Sequence, residues 1–319
     1  MTIRDFELIE QYSTRLARRA ALGIGDDCAL LAPAPGMQLA VSSDMLIEGR
    51  HFLSTITPDQ LGHKSLAVNL SDLAACGAQP LAFTLALALP RAEREFLEGF
   101  SRGLLALADA HDCELVGGDT TRGPLAICIT VFGEVPAGRA LLRSGAQPDD
   151  DLYVSGTLGD ARLALEVFRG TRALDAAAFD SVRAAMESPQ PRIALGVALR
   201  GIATSAIDVS DGLLGDLGHI LRRSAVAATI DVDALPRSAV LGAQPLALQR
   251  ICTLAGGDDY ELVFSASRQD ANAVVEAAAR AATAVTRIGR IESGAGVRLV
   301  DADGRPVENA YACFDHFRP

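Results

Sequence analysis

In the first 136 positions, apolar residues follow the spacing of a strand in some segments and the spacing of a helix in others. This pattern predicts strands that alternate with long helices. Segments that are continuously apolar, or in which apolar and polar residues alternate, predict strands at 28–33, 38–46, 81–89, 113–117 and 124–134. Longer segments with helical spacing predict helices at 1–19, 58–76 and 93–111. The helix at 58–76 has proline near its start and Gly77 just past its end, as helix boundaries prefer.

The second half repeats this mixture after a turn-rich, charged segment at 136–151. Strands are predicted at 152–156, 204–209, 286–291 and 296–300. Helices are predicted at 159–169, 175–187, 193–202, 212–223 and 269–282. We therefore expect an α/β (α+β) protein of two domains, with an N-terminal domain over 1–137 and a C-terminal domain over 138–319.

Composition narrows the class of protein. The chain has 319 residues, a net charge of −11 and a pI near 4.9, which argue against a partner that is nucleic acid or an anionic membrane. Its six cysteines are widely spaced and form no CxxC pair, as expected of a reduced protein without a structural zinc site. The longest apolar run, 81–89, is too short to span a bilayer. We expect a cytoplasmic protein.

Short motifs centred on aspartate recur where predicted strands or helices end. They are GIGDD (23–27), SSD (42–44), NLSD (69–72), GGDTT (117–121) and IDVSDG (207–212). Carboxylates are rarely buried unless they are paired or bind a metal. Asp, Ser and Thr oxygens are the ligands of hard cations such as Mg²⁺, which are usually held by a few carboxylates and substrate phosphates. The motifs together indicate a site for several metal ions and a phosphate group.

Each motif also has a simpler explanation. Ser65, Asn69 and Asp72 share one face of the helix at 58–76, and a polar helix face is more often only the solvated side. Asp and Gly favour tight turns, and Asp or Ser favours helix caps. Five such motifs by coincidence would be unusual, so the metal site is preferred. There is no GxxxxGK[ST] loop, so any ATP that binds must be held through metal-bridged phosphates and arginines. Arg143 is a candidate for such a phosphate contact, and its alternative is a surface ion pair.

The chain resembles the thiamine-monophosphate kinases in motifs that run in the family's order over almost its whole length. These are GIGDDCALL, AVSSDMLIEGRHF, HKSLAVNLSDLAACGA, LVGGDTTRGP, LLRSGAQPDD, AIDVSDGLLGDLGHI, GGDDYELVF and FDHF. The resemblance implies the two-domain fold of aminoimidazole-ribonucleotide synthetase, with N-terminal strands that pair across a homodimer and a C-terminal α/β domain that completes the active site. It also implies Mg²⁺- and ATP-dependent phosphorylation of thiamine monophosphate to thiamine diphosphate.

The resemblance assigns roles to individual residues of this sequence. The expected Mg²⁺ ligands are Asp27, Ser42, Ser43, Asp44, Asp72, Asp119, Asp208 and Asp211. The expected ATP contacts are Asp27, Gly118, Asp119, Arg143 and Ser210. The expected substrate contacts are His51, Asp258 and Phe314. Many relatives have Glu where this chain has Asp258. No residue is expected to act as a catalytic base, because the accepting phosphate is already anionic at neutral pH.

Two alternatives to the kinase function come from the same superfamily. A selenophosphate-synthetase-like enzyme would carry a reactive N-terminal cysteine near a lysine, and this chain has neither. A non-catalytic partner of the hydrogenase-maturation kind would offer a C-terminal cysteine, whereas this chain ends in FRP. Both are weaker alternatives to the kinase.

Overall fold

The computed structural model describes residues 18–311. The helix predicted at 1–19 therefore lies almost entirely outside the described residues, and so does Phe314. Within them the chain divides into two compact units, one holding residues 18–73 and 78–138 and the other holding 74–77 and 139–311.

The first unit is built on a four-stranded sheet. Its strands are β1 (Met37–Ile47), β2 (Gln79–Leu89), β3 (Glu114–Arg122) and β4 (Ala126–Pro136), in the order β1-β4-β2-β3. The β2–β3 pair is parallel and the other two pairs are antiparallel. The helices α1 (Pro58–Ala75) and α2 (Arg94–Ala110) connect these strands, as the apolar spacing predicts.

The two faces of this sheet differ. Leu85, Ile127 and Ile129 alternate onto one face and are buried, and α1 lies on that side. The same alternation places apolar residues of β1 on the other face, where they are exposed: Leu39, Val41, Met45 and Ile47. Part of that second face is covered, because Ala20 and Leu31 pack against Ala82 and Phe132 there, but the β1 side chains stay exposed among the described residues.

Two sequence predictions for this unit need correction. The strand predicted at 28–33 does not form, and only an isolated bridge joins Leu22 to Leu30. Pro33 and Pro35 lack the N–H groups that a continued ladder would need. In contrast, β3 continues five residues beyond the predicted end at 117, so the GGDTT motif lies inside a strand instead of a loop.

The second unit is built on a mixed seven-stranded sheet in the order β11-β10-β7-β9-β5-β8-β6. Its strands are β5 (Asp151–Ser155), β6 (Ala203–Asp208), β7 (Ala227–Asp231), β8 (Leu262–Ala266), β9 (Val285–Glu292), β10 (Gly296–Val300) and β11 (Pro306–Val307). Its helices are α3 (Asp160–Phe168), α4 (Ala176–Glu187), α5 (Ile193–Ala198), α6 (Leu213–Ser224), α7 (Ala239–Gly242), α8 (Leu246–Ala255) and α9 (Ala271–Arg280). An apolar core that includes Leu152, Ile220 and Val263 joins sheet and helices.

The sequence missed β7, α7 and α8, which lie in the stretch between α6 and the GGDDYELVF motif. Their segments are short, and an apolar run of five residues does not distinguish strand from helix by spacing. Helix α5 is also shorter than the predicted 193–202, since it ends at Ala198 and Gly201 then adopts φ +76°. Among the described residues, no helix has both the length and the apolar character needed to cross a bilayer.

Candidate active site

Strand β1 and helix α1 bring four of the polar residues together. Ser42 and Asp44 are two residues apart and so face the same side of β1. The Ser42 hydroxyl donates a hydrogen bond to the Asp72 carboxylate of α1. The backbone N–H of Asp44 donates to Asn69 Oδ1 at 3.0 Å. The polar face of α1 therefore meets the sheet, and the solvated-side interpretation is wrong: Asn69 is 0% exposed.

Ser43 lies on the opposite face of β1. Its hydroxyl is 3.0 Å from Thr130 Oγ1 and donates to the carbonyl oxygen of Ile129 at 3.1 Å. The side chain of Ser43 is thus directed at β4, away from the side that carries Asp44 and Asp72. The two-residue repeat of a strand contained this information, because Ser42 and Ser43 cannot both share a face with Asp44.

Gly118 and Asp119 lie on β3, at the far edge of the sheet. Gly118 adopts φ +151°, and a Cβ there would be 1.9 Å from the carbonyl oxygen of Leu85, so only glycine fits. Asp119 is exposed and pairs with Ala86 of β2. Strands β4 and β2 separate it from β1, so Asp44 and Asp119 are about 14 Å apart across three strand spacings.

Asp27 and His51 occupy turns of the first unit. Asp27 is exposed, and its backbone N–H donates to Asp26 Oδ1 at 2.9 Å after Gly25 at φ +121°. His51 Nδ1 accepts a hydrogen bond from the backbone N–H of Ile47 at 3.0 Å. In a neutral imidazole this leaves the proton on Nε2, which makes that atom a hydrogen-bond donor.

The oxygen-only character of the group around β1 and α1 suits magnesium. Among residues 18–311 no three or more His, Cys, Asp or Glu side chains are close enough to form a complete metal cage. Magnesium does not need one, because it is commonly bound through one or two carboxylates plus substrate phosphates and water. Asp44 and Asp72, with the hydroxyl of Ser42 beside them, are such a partial set.

In the second unit, two acidic motifs are joined along their backbones. The loop after β6 carries Ser210 and Asp211, and the segment before β8 carries Asp258. The N–H of Asp258 donates to the Ser210 carbonyl oxygen, and the N–H of Tyr260 donates to that of Val209, both at 2.8 Å. The IDVSDG motif and the GGDDYELVF motif therefore form one local structure, in which Asp208 is 5% exposed at the end of β6.

Asp216 in the first turn of α6 holds this loop from the other side. Its Oδ2 accepts hydrogen bonds from the backbone N–H groups of Ser210, Asp211 and Gly212, at 3.0, 3.1 and 3.1 Å. Burial raises the pKa of Asp216 to about 7; the charge of Asp211 acts in the same direction and the three N–H groups oppose it. Sequence reasoning passed over Asp216, although an acidic residue in a first helical turn is a recognisable signal.

His219, one turn further along α6, lies among several charged groups of the loop. Burial lowers its pKa most, and the guanidinium groups of Arg222 and Arg143 lower it further, while Asp211 opposes them. Arg143 is also tied to α6 through its carbonyl oxygen, which accepts from Ser224 Oγ at 3.3 Å. Arg143 and Asp211 thus both act electrostatically on His219 of α6.

Asp258 is held in an unusual backbone conformation. It adopts φ +65° and Tyr260 adopts φ +50°, a region that residues with side chains rarely occupy. The Tyr260 hydroxyl donates to Asp258 Oδ1 at 3.0 Å. Between them, Asp259 accepts from the N–H of Gly159 at 2.8 Å, and burial raises the pKa of Asp259 well above its ordinary value. Such local strain is concentrated at functional sites.

The chain matches two family profiles, described as AIR synthase related protein, N-terminal domain, over residues 25–135 and AIR synthase related protein, C-terminal domain, over residues 147–302. A thiamine-monophosphate kinase from Salmonella typhimurium is 44% identical over 99% of this chain and 99% of its own.

Two solved structures resemble the fold. A thiamine-monophosphate kinase from Stenotrophomonas maltophilia is 48% identical, with a TM-score of 0.84 over 91% of this chain and 92% of its own. AaThiL complexed with AMPPCP and TMP is 30% identical, with a TM-score of 0.78 over 90% of this chain and 89% of its own. The predicted two-domain fold and the predicted family are both confirmed. This chain belongs to the thiamine-monophosphate kinase family.

Proposed function

We propose that this protein transfers the γ-phosphoryl group of ATP to the phosphate of thiamine monophosphate, releasing ADP and thiamine diphosphate, as the last step of thiamine diphosphate synthesis. The observation that carries the proposal is the 44% identity to a thiamine-monophosphate kinase over 99% of both chains. A 30% identical neighbour in complex with AMPPCP, an ATP analogue, and TMP supports the same pair of substrates.

Several Mg²⁺ ions are the proposed cofactors, and they would neutralise charge between the two polyanionic substrates. The oxygen donors around β1 and α1, with Asp44 and Asp72 at their centre, support this assignment. The proposed ligands are those the sequence predicts: Asp27, Ser42, Ser43, Asp44, Asp72, Asp119, Asp208 and Asp211. Ser43 is the weakest of them as a side-chain ligand, because its hydroxyl is bonded to β4.

The chain's own residues bind and orient the nucleotide. Gly118 lets β3 lie close against Leu85 of β2 beside Asp119, and Arg143 offers a fork of N–H donors to anionic oxygens. Ser210 and Asp211 lie partly exposed in a loop that is fixed on both sides. A fixed loop loses little conformational entropy when ATP binds, so more of its contacts contribute to affinity.

No general base is required for the transfer. The attacking atom is an oxygen of the thiamine monophosphate phosphate group, which is already anionic at neutral pH. The barrier is set by repulsion and misalignment of the reactants, so positioning supplies most of the acceleration. The Nε2–H of His51 is a suitable donor to that phosphate, and Asp258 and Phe314 are assigned to the thiamine part of the substrate.

A homodimer is the proposed assembly, in the cytoplasm. On the face of the first unit's sheet that β1 leaves exposed, the exposed fractions of four apolar side chains are 42%, 58%, 55% and 43%, for Leu39, Val41, Met45 and Ile47. An apolar face of that kind marks an interaction surface, and a second copy of the same sheet is its natural partner.

The test is an assay with two acceptors. Purified protein is incubated with ATP, Mg²⁺ and either thiamine monophosphate or unphosphorylated thiamine, and the products are separated by chromatography. We expect thiamine diphosphate from the monophosphate alone. A folded preparation that forms none would overturn the proposal, because superfamily members share the ATP site and differ in the acceptor.

A further inference from the structure

One oxygen of Asp216 organises the loop between β6 and α6. Three consecutive backbone N–H groups, those of Ser210, Asp211 and Gly212, converge on Oδ2 at 3.0 to 3.1 Å. Asp216 is only 4% exposed, so water does not compete for these bonds. Convergent N–H groups of this kind form an anion-binding concavity. Here a side chain of the protein itself fills it.

The opposite side of the loop is also fixed. The carbonyl oxygen of Ser210 accepts from Asp258 and that of Val209 accepts from Tyr260. Gly212 adopts φ +116°, and a Cβ at Gly257 would be 2.5 Å from the Ser210 carbonyl oxygen. The loop therefore has its N–H groups directed at Asp216 and carbonyl oxygens directed at the GGDDY segment, while Ser210 and Asp211 themselves remain partly exposed.

We propose that Asp216 is a positioning residue for nucleotide binding: its carboxyl group fixes the backbone of residues 210–212 in the conformation that presents Ser210 and Asp211 to ATP and its metal ion. The inference rests on the proposed function, because the roles of Ser210 and Asp211 belong to it. The hydrogen bonds of Asp216 go to backbone N–H groups of the loop, so it acts through Ser210 and Asp211. A merely structural Asp216 would affect stability and leave nucleotide affinity unchanged.

Asp216→Asn is the first variant, because it keeps the size of the side chain and one acceptor oxygen. Asp231→Asn is the matched control, since Asp231 Oδ1 likewise accepts two backbone N–H groups, from Asp233 and Ala234 at 3.0 and 3.2 Å, in a turn after β7. The measurements are calorimetric binding of AMPPCP with Mg²⁺, KM for each substrate, kcat and melting temperature.

We expect Asp216→Asn to weaken AMPPCP binding and raise the KM for ATP at least ~10-fold. A loss of affinity of this size is typical when a residue that orients the binding groups, without contacting the ligand, is replaced. Asp231→Asn should keep wild-type affinity even if it melts earlier. An Asp216→Asn protein that is folded and binds AMPPCP as the wild type does would overturn the proposal. The binding measurement needs no acceptor, so it still decides the role of Asp216 if the assay for thiamine diphosphate fails.

Hydrogen exchange of the wild-type protein gives a second test that needs no variant to fold. The amides of Ser210, Asp211 and Gly212 should already exchange slowly without nucleotide, and they should change little when AMPPCP and Mg²⁺ are added. Fast exchange that becomes slow only on nucleotide binding would show that the ligand, and not Asp216, orders the loop.

Discussion

The backbone N–H of Asp258 donates to the carbonyl oxygen of Ser210 at 2.8 Å. This bond joins the motif proposed to contact ATP to the motif proposed to contact thiamine monophosphate. A change in either loop is therefore transmitted to the other through the main chain, without any side chain between them. Substitutions in one motif are expected to alter the KM of both substrates.

Asp72→Asn should reduce kcat at least ~100-fold while leaving the melting temperature equal or higher. Asparagine can still accept the Ser42 hydrogen bond, but it removes the negative charge that Asp72 holds on the side of β1 that also carries Asp44. Activity and thermal unfolding are measured on the same preparation. A large drop in melting temperature would instead identify Asp72 as a structural residue.

Gly118→Ala should disrupt β3. The new Cβ would be 1.9 Å from the Leu85 carbonyl oxygen, so the strand must shift, at a cost of about 1–3 kcal/mol in stability and most of the activity. Gly123→Ala is the control, because its nearest neighbour, Ala88 Cβ, is at an ordinary 3.6 Å. Denaturant unfolding compares the two, and equal stabilities would contradict the prediction.

Arg192→Met should destabilise the second unit by up to ~3 kcal/mol. Arg192 Nε donates to Glu261 Oε2 at 2.7 Å, and Glu261 is 4% exposed, so the substitution leaves a buried carboxylate without its cation. Adding Glu261→Gln to Arg192→Met should recover part of the loss. The exposed pair of Arg305 and Asp303 provides the comparison, and Arg305→Met should change stability by less than ~0.5 kcal/mol.

Glu114 should stabilise the fold near neutral pH and lose that contribution in acid. Burial acts to raise its pKa, but hydrogen bonds from the N–H groups of Arg19, Ala20 and Arg18, with the charge of Arg18, lower it overall. A lowered pKa stabilises the fold above the ordinary value of 4.5, and that contribution is lost as pH falls through the folded pKa. Melting temperature measured from pH 6 down to pH 3 should fall less steeply in Glu114→Gln than in the wild type, and parallel curves would refute this.

Val41→Asp should convert the proposed dimer to a monomer. Val41 is 58% exposed on the open sheet face, and a charge there would be buried by a second copy. Val275→Asp, on a 67% exposed residue of α9, is the control and should leave the assembly unchanged. Sedimentation at several concentrations distinguishes them. A wild-type protein that sediments as a monomer would remove the basis for the dimer.

Much of the architecture could be predicted because the spacing of apolar residues agrees with the positions of the residues that begin and end helices. Helix α1 begins with Pro58 and ends just before Gly77, and its predicted extent of 58–76 differs from the observed end by one residue. The direction of its polar face could not be predicted, because spacing places Ser65, Asn69 and Asp72 on one side without saying what that side meets. The hydrogen bonds from Asp44 to Asn69 and from Ser42 to Asp72 supply that information.

The site could be predicted in part for a similar reason. Motifs identify side chains that carry oxygen ligands, and Asp72 and Asp211 are predicted as metal ligands in this way. Asp216 carries a weaker signal, an acidic residue in a first helical turn, which does not show that its partners are three backbone N–H groups. The opposite orientation of Ser43 follows from the two-residue repeat of β1, which a motif match by itself does not take into account.

The bonds to Asp216 also bear on inhibitor design. Glycine-rich nucleotide loops usually aim successive N–H groups at a phosphate. In this protein the three N–H groups before α6 are already occupied by Asp216. A compound that mimics a free phosphate would therefore find the backbone N–H groups of residues 210–212 occupied unless it displaced a buried side chain. Selective compounds should instead carry groups that chelate magnesium, or exploit the strained turn at Asp258 and Tyr260.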